Sequence, residues 1–319
     1  MSTLLILAVL ATNLPTVVVE ASRIDSTQME VPSGVHVIGR KEIAAGGARD
    51  VTDLLSKRAP ELHIRHLGGG NPALAEISMR GYGENGHGRT LVLVDGERLN
   101  SPDINTPNLA RIALGSVDRV EVLGGPQTVL HGDGASAGLV NVVTEPQTYE
   151  RKTYAEVRGG SWGTFGGAAG TRGGFEDERV KYWADGAYDR SDGYRSQSGY
   201  EIWNLNAGVR KDWESGTYLR VTGFYNDSFY QLPGHLSYDE WKADPRQSHA
   251  TEDEFWRSTY GFSTTFSAQL NDENALKTTF NFSNRRMETH QKSAGGAVFD
   301  NDYDVYSCRF LEEWINTTK

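Results

Sequence analysis

The chain has 319 residues, long enough for about two domains, with 38% hydrophobic residues and a mean hydropathy of -0.51. A net charge of -10, with scattered rather than clustered lysines and arginines, argues against a nucleic-acid partner. Cys308 is the single cysteine, which excludes an intrachain disulfide and a cysteine metal centre. Low hydropathy suits an aqueous protein, but it also suits a membrane β-barrel, whose strands carry apolar residues on alternate positions only.

In chain order, residues 4–11, LLILAVLA, are apolar but too short to cross a bilayer as a helix. They have the form of a secretory signal heart without a preceding positive residue, so residues 1–14 read as a degraded or truncated signal segment. Residues 15–30 follow as an extended segment and linker, in which Thr16, Val17, Val18, Val19 and Glu20 offer a β-branched strand edge to a partner's sheet.

From Val35 the pattern is that of one compact α+β domain, residues 31–146. Residues 35–38 suit a strand, and Asp50 suits the cap of a helix whose apolar face is Val51, Leu54 and Leu55. Residues 62–66, 77–80 and 90–94 read as further strands, the last closed by the tight-turn pair Asp95-Gly96. If these three run up, down and up, loops 67–76 and 96–108 share one end and loop 81–89 lies at the other. The polar groups of the two co-facing loops, Asn71, Asn100, Asp103, Asn105 and Asn108, are then the ligand-binding candidates.

Gly81 to Gly86 fits G-x-G-x-x-G but runs into a strand, not the helix that a pyrophosphate site needs, so it reads as a flexible turn. His63, His66, His87 and His131 lack metal-ligand spacing, and no nucleophile motif or carboxylate pair stands out. No catalytic residue, metal or cofactor is expected.

Residues 117–144, VDRVEVLGGPQTVLHGDGASAGLVNVVT, read as a strand, a Gly-Pro turn, one helical turn, a Gly-rich turn and a buried strand. Beyond Glu145-Pro146 the texture changes to aromatic-rich period-2 segments. Tyr260, Phe262, Thr264, Phe266, Ala268 and Leu270 alternate with Gly261, Ser263, Thr265, Ser267 and Gln269, and residues 203–210 and 276–285 do the same. Strands are expected near 153–159, 164–174, 178–189, 200–212, 216–226, 255–270, 274–286 and 303–314, with 227–254 as a long outside loop. A soluble β-sandwich has the same alternation.

The joined string around Val120-Glu121-Val122-Leu123 and Gly125-Pro126, ending Asn141-Val142-Val143-Thr144, closely resembles the end of the plug domain of TonB-dependent outer-membrane receptors. Arg80-Gly81 and Leu91 to Gly96 match that family's R-G and L-x-L-x-D-G stretches, so Arg80, Gly81, Asp95, Gly96, Arg119, Glu121, Gly125 and Pro126 form the plug motif. The resemblance implies a plug followed by antiparallel transmembrane barrel strands over 147–319. It makes residues 16–20 a TonB-box-like site for an energy-transducing inner-membrane protein. Outer-membrane lipid and a ferric chelate or corrinoid are the other implied partners, and outer-membrane uptake without enzymatic chemistry is the implied function.

Family barrels close with about 22 strands, whereas about eight are legible here, so the barrel is expected to be incomplete and the sequence truncated. Gly124 stands where the family usually has arginine. In the family that arginine and the R-G arginine latch onto later barrel strands, so weak plug anchoring is expected. The rival reading is a truncated, non-transporting β-rich interaction module.

Overall fold

The computed structural model describes residues 18–19, 21, 26–27, 34–66, 71–100, 106–250, 252–271, 273–292 and 298–316. A two-residue ladder, β1 (Val18–Val19) against β2 (Ser26–Thr27), precedes the first domain. There β3 (Val35–Gly39) leads into α1 (Arg40–Ala45), and α2 (Val51–Arg58) starts where Asp50 accepts the Asp53 amide. Next come β4 (Leu62–His66), β5 (Ala75–Met79), β6 (Thr90–Val94) and β7 (Glu97–Arg98). The domain ends with β8 (Arg119–Gly124), the four-residue α3 (Thr128–His131) and β9 (Gly138–Val143).

Five strands form a mixed sheet in the order β3-β8-β9-β6-β7, with β6 parallel to β9 and the other neighbours antiparallel. One face carries Val92, Val120, Val122, Val140 and Val142 against Ile38, Leu54 and Leu55. The opposite face carries Leu91, Leu93, Leu123 and Leu139 around Ala21. Burial on both faces is why these strands read as near-continuous apolar runs.

The up-down-up arrangement expected of residues 62–94 is not what forms. β4 and β5 make a separate hairpin, and β6 joins the five-stranded sheet beside β9. The buried TLVLV run suits a central strand flanked on both sides, which a hairpin edge does not supply. Residues 81–86 form a turn and not the start of a long helix. They enter a 3-10 turn over Gly83–Gly88, with Gly81 at φ 75° and Gly83 at φ 55°, and a Cβ on Gly86 would collide with Ser78.

The second unit is an eight-stranded antiparallel meander, β10-β11-β12-β13-β14-β15-β16-β17 in sheet order. Its strands are β10 (Lys152–Gly159), β11 (Phe165–Phe175), β12 (Val180–Ser191), β13 (Tyr200–Asp212), β14 (Tyr218–Gln231), β15 (Glu254–Gln269), β16 (Asn274–Lys292) and β17 (Val298–Asn316). All eight expected strands are present. Three run longer than expected: β14 reaches Gln231, β16 reaches Lys292, and β17 starts at Val298. In those extensions the outward positions include Asp227, Glu288, His290, Asp300 and Asp302, so the apolar alternation weakens while the backbone ladder continues.

The long connection consequently shrinks to residues 232–253 and contains α4 (Tyr238–Ala243), started by a Ser237–Glu240 capping box. Long connections 192–199 and 232–253 lie at one end of the sheet, and the short turns 176–179 and 213–217 lie at the other.

Burial decides between a membrane wall and a soluble sandwich. The apolar alternates are the exposed ones: Trp203, Leu205, Phe262 and Phe310 are 50%, 56%, 42% and 65% exposed. Their polar neighbours Asn204, Ser263 and Thr265 are buried on the side that faces the plug. A soluble sandwich hides its apolar face, whereas this wall presents that face outward, as a lipid-facing barrel does. No described helix is long and apolar enough to cross a membrane.

Candidate functional site

The site is the boundary where the plug meets the inner face of the wall. At its foot, Glu145, the residue after the plug's last strand, is buried beneath three cations from three successive strands. Lys181 Nζ on β12 and Arg210 Nη1 on β13 lie 3.3 and 3.2 Å from Oε1, and Arg220 Nη1 on β14 lies 3.5 Å from Oε2. Arg220 Nη2 also donates to the Asp95 carbonyl at 2.8 Å.

Higher up, Arg172 on β11 donates to the carbonyls of Gly115 and Ser116 at 2.7 and 2.8 Å and pairs with Asp118 at 3.3 Å. Arg40 of α1 reaches the same turn from the plug side, donating to the Gly115 and Val117 carbonyls. Burial pushes the Asp118 carboxyl up, against the pull of Arg172. Asn204 donates to the Ala110 carbonyl at 2.8 Å, and Arg111 lies 3.9 Å above the Phe224 ring.

These contacts involve neither of the two latch positions expected from the family motif, 80 and 124. Arg80 sits exposed in a turn at φ 56°, and Gly124 ends β8 opposite Gly138. The plug meets the wall through Glu145 and through carbonyls that accept from wall arginines.

The remaining motif residues build the plug from within. Asp95, at φ 50°, accepts the Thr144 amide and hydroxyl at 2.7 and 2.6 Å, while Gly96 at φ 83° completes the turn. Gly125 takes φ 94° before Pro126 and α3. Arg119 Nε donates to Glu121 Oε1 at 2.8 Å, and Glu121 Oε2 accepts from Asn141 and from the backbone amide of Ala21 at 2.9 Å. The Ala21 carbonyl in turn lies 2.8 Å from His131 Nε2. The central strand therefore grips the chain one residue beyond the TonB-box-like segment. Within that segment Val18 and Val19 form β1, while Thr16, Val17 and Glu20 lie outside the described residues.

Among the ligand candidates, Asn71 caps the turn Pro72–Leu74 through the Ala73 amide at 2.9 Å. Asn108 caps Leu109–Arg111 and donates to Asn226 Oδ1 on β14 at 3.2 Å. Asn100 accepts the Val92 amide and donates to the Thr90 carbonyl. Asp103 and Asn105 lie outside the described residues. Ala73, beside Asn71, and Ala110, beside Asn108, share an apolar cluster with Ile202, Tyr230 and Phe255. The Asp95-Gly96 turn, by contrast, lies at the short-turn end beside Arg220.

Asn100 and Asn108 also line a cleft against β15, β16 and β17, together with Arg111, Arg257 and Arg285. Sequence reasoning missed the arginines and Glu145. The signal of the wall arginines was a cation at an inward-phased strand position, which alternation reveals only once the inward face is known. Among the described residues no three His, Cys, Asp or Glu side chains gather as metal ligands.

Residues 27–139 match the family model of the TonB-dependent receptor plug domain. The vitamin B12 transporter BtuB of Vibrio vulnificus is 30% identical over 216 residues, 67% of this chain and 33% of that protein. The iron-regulated outer membrane virulence protein of Vibrio cholerae is 35% identical over 136 residues, 40% of this chain and 20% of that one. Among solved structures, the unliganded ferric citrate transporter FecA superposes with a TM-score of 0.76 at 19% identity, covering 90% of this chain and 45% of that one. The pyoverdine receptor FpvA of Pseudomonas aeruginosa superposes at 0.71 and 16% identity, covering 92% and 44%. The chain thus spans a third or less of these curated relatives and under half of the solved structures. With its plug, its outward apolar wall and these matches, the chain belongs to the TonB-dependent outer-membrane receptors, of which it carries the plug domain and eight strands of the barrel wall.

Proposed function

We propose that the protein serves TonB-dependent uptake of a scarce solute across the outer membrane of a Gram-negative-type bacterium, with the plug gating the barrel. One observation carries this reading: the polar face of the wall packs on the plug while the apolar face is exposed. The solute belongs to the ferric-chelate or corrinoid class, the two classes for which the similar proteins are named. Its work is binding and passage, and no covalent chemistry is assigned to it.

The energy-transducing partner engages residues 16–20, and the buried bond from the Ala21 amide to Glu121 passes its pull to the interior strand β8. The test is co-purification of the chain, extracted from outer membranes, with the periplasmic domain of a TonB-type protein. Wild type is expected to retain the partner and Val18→Pro to lose it, since proline removes an edge amide. A chain recovered as a soluble monomer that ignores the partner would instead support the non-transporting module.

A further inference from the structure

This inference rests on the receptor reading and concerns how a pull at residues 16–20 opens the plug. Ala21 is 1% exposed and sits on the second face of the plug sheet, in an apolar seat formed by Leu91, Leu93, Leu123, Ala135 and Leu139. Both of its backbone groups are engaged there. Its amide donates to Glu121 Oε2 at 2.9 Å, and its carbonyl lies 2.8 Å from His131 Nε2, a contact that is a hydrogen bond when that nitrogen carries the proton.

The seat is fixed more firmly than its occupant. Glu121 belongs to β8, which pairs with β3 on one side and β9 on the other, where Val37 and Asn141 are its ladder partners. Its carboxylate also accepts from Arg119 and Asn141. The last turn of α3 is held from behind by Arg98, which donates to the His131 and Asp133 carbonyls at 3.2 and 2.6 Å. Beyond the seat lies the lower space between plug and barrel wall. Leu93, Arg119, His131 and Asn141 line that cavity of about 750 Å³, whose far side includes Tyr218, Ser267 and Thr279. Leu93 and His131 therefore belong both to the seat of Ala21 and to the lining of the cavity.

We infer that Ala21 is the stopper of this cavity, that Glu121 and His131 are the positioning residues that seat it, and that its withdrawal is the first opening of the plug under the partner's pull. Load applied at residues 16–20 reaches Ala21 before any strand of the five-stranded sheet, because thirteen residues separate Ala21 from Val35. Two hydrogen bonds and one methyl group hold the stopper, whereas β8 is held by a ladder on each side, so the stopper leaves and the seat stays. The cavity then extends through the vacated seat, past His131 and the Glu121 carboxylate.

The test uses the full chain in detergent micelles, with Cys308→Ser removing the exposed thiol. Ala135→Cys, beneath the stopper, reports on the seat, and Ala59→Cys, buried on the opposite face of the sheet, reports on the plug core. Ala21→Arg, whose charge does not fit the apolar seat, is expected to speed maleimide labelling of Ala135→Cys about tenfold or more and to leave Ala59→Cys protected. His131→Phe is expected to act likewise, and His131→Gln, which keeps an N–H donor, to restore protection. Unchanged labelling of Ala135→Cys in Ala21→Arg overturns the stopper, as does equal exposure of both thiols, which makes Ala21 a prop of the whole plug. Under load from a captured periplasmic domain of a TonB-type protein, with the carboxyl end anchored, the first step is expected to lengthen the chain by up to about 45 Å, the reach of those thirteen residues, and to be absent in Ala21→Arg. The same first step in Ala21→Arg overturns the order of release. A handle fixed chemically to the amino end repeats the measurement without the partner, so failed capture strikes the receptor reading while the handle still decides the stopper.

Discussion

Asp95 and Glu97 flank Gly96 and serve the fold differently, because one is satisfied by hydrogen bonds from Thr144 and the other is buried beside an arginine at 3.5 Å. Asp95 receives two hydrogen bonds from Thr144 and so joins β6 to the end of β9. Glu97 is buried with Arg111 at 3.5 Å, and burial pushes its carboxyl above the usual value of 4.5 despite that arginine. A carboxyl raised by folding stabilises the plug fully below its unfolded pKa, and that contribution is lost as pH climbs through the raised value. Plug stability is therefore expected to fall through the range above pH 4.5 on account of Glu97. Thermal unfolding of wild type and Glu97→Gln across that range checks it, with the variant showing the shallower dependence. Asp53 acts in the opposite sense. Lys57 and the Arg49 amide hold its carboxyl low despite partial burial, so its contribution disappears as pH falls.

At the scale of the element, α2 shows local sequence and tertiary packing in agreement. Asp50 closes its amino end, Lys57 and Arg58 meet the dipole at its last turn, and Val51, Leu54 and Leu55 are buried under the sheet. Replacing Asp50 with alanine is expected to cost about 1 kcal/mol of plug stability, read from chemical denaturation. A helix of eight residues does not persist alone, so its existence depends on that apolar face. α4 has an equally good capping box and no buried residue, and it is held instead by its loop, where Arg195 donates to the carbonyls of Pro233, Gly234 and Gln247. The wall strands illustrate the converse limit. Alternation revealed all eight, but it misplaced the ends of β14, β16 and β17 because pairing continues where the outward face turns polar.

At the scale of the molecule, one carboxylate gathers three wall cations where the two units meet. Glu145 is buried beneath Lys181, Arg210 and Arg220, and removing it leaves three cations in a confined space with one partner fewer. Glu145→Ala is expected to lower the stability of the docked plug by about 3 kcal/mol. The check is a lower urea midpoint for plug release, with faster proteolysis near residues 146–151.

The amino-acid sequence by itself determined the plug's central strands, the wall's strand count and the alternation of its two faces, because these rest on local periodicity and turn chemistry. It also carried the motif string that marks the family. Only the tertiary structure decided which wall face is exposed, since a sandwich and a barrel share one alternation and differ in the side that meets solvent or lipid. Only the structure placed β6 beside β9 instead of β5, for strand partners are chosen by burial across the sheet. The Glu145 junction was equally out of reach of the sequence, because its members are separated by tens of residues and meet only when strands align. Charge at a strand position has a direction, and the fold is what supplies it.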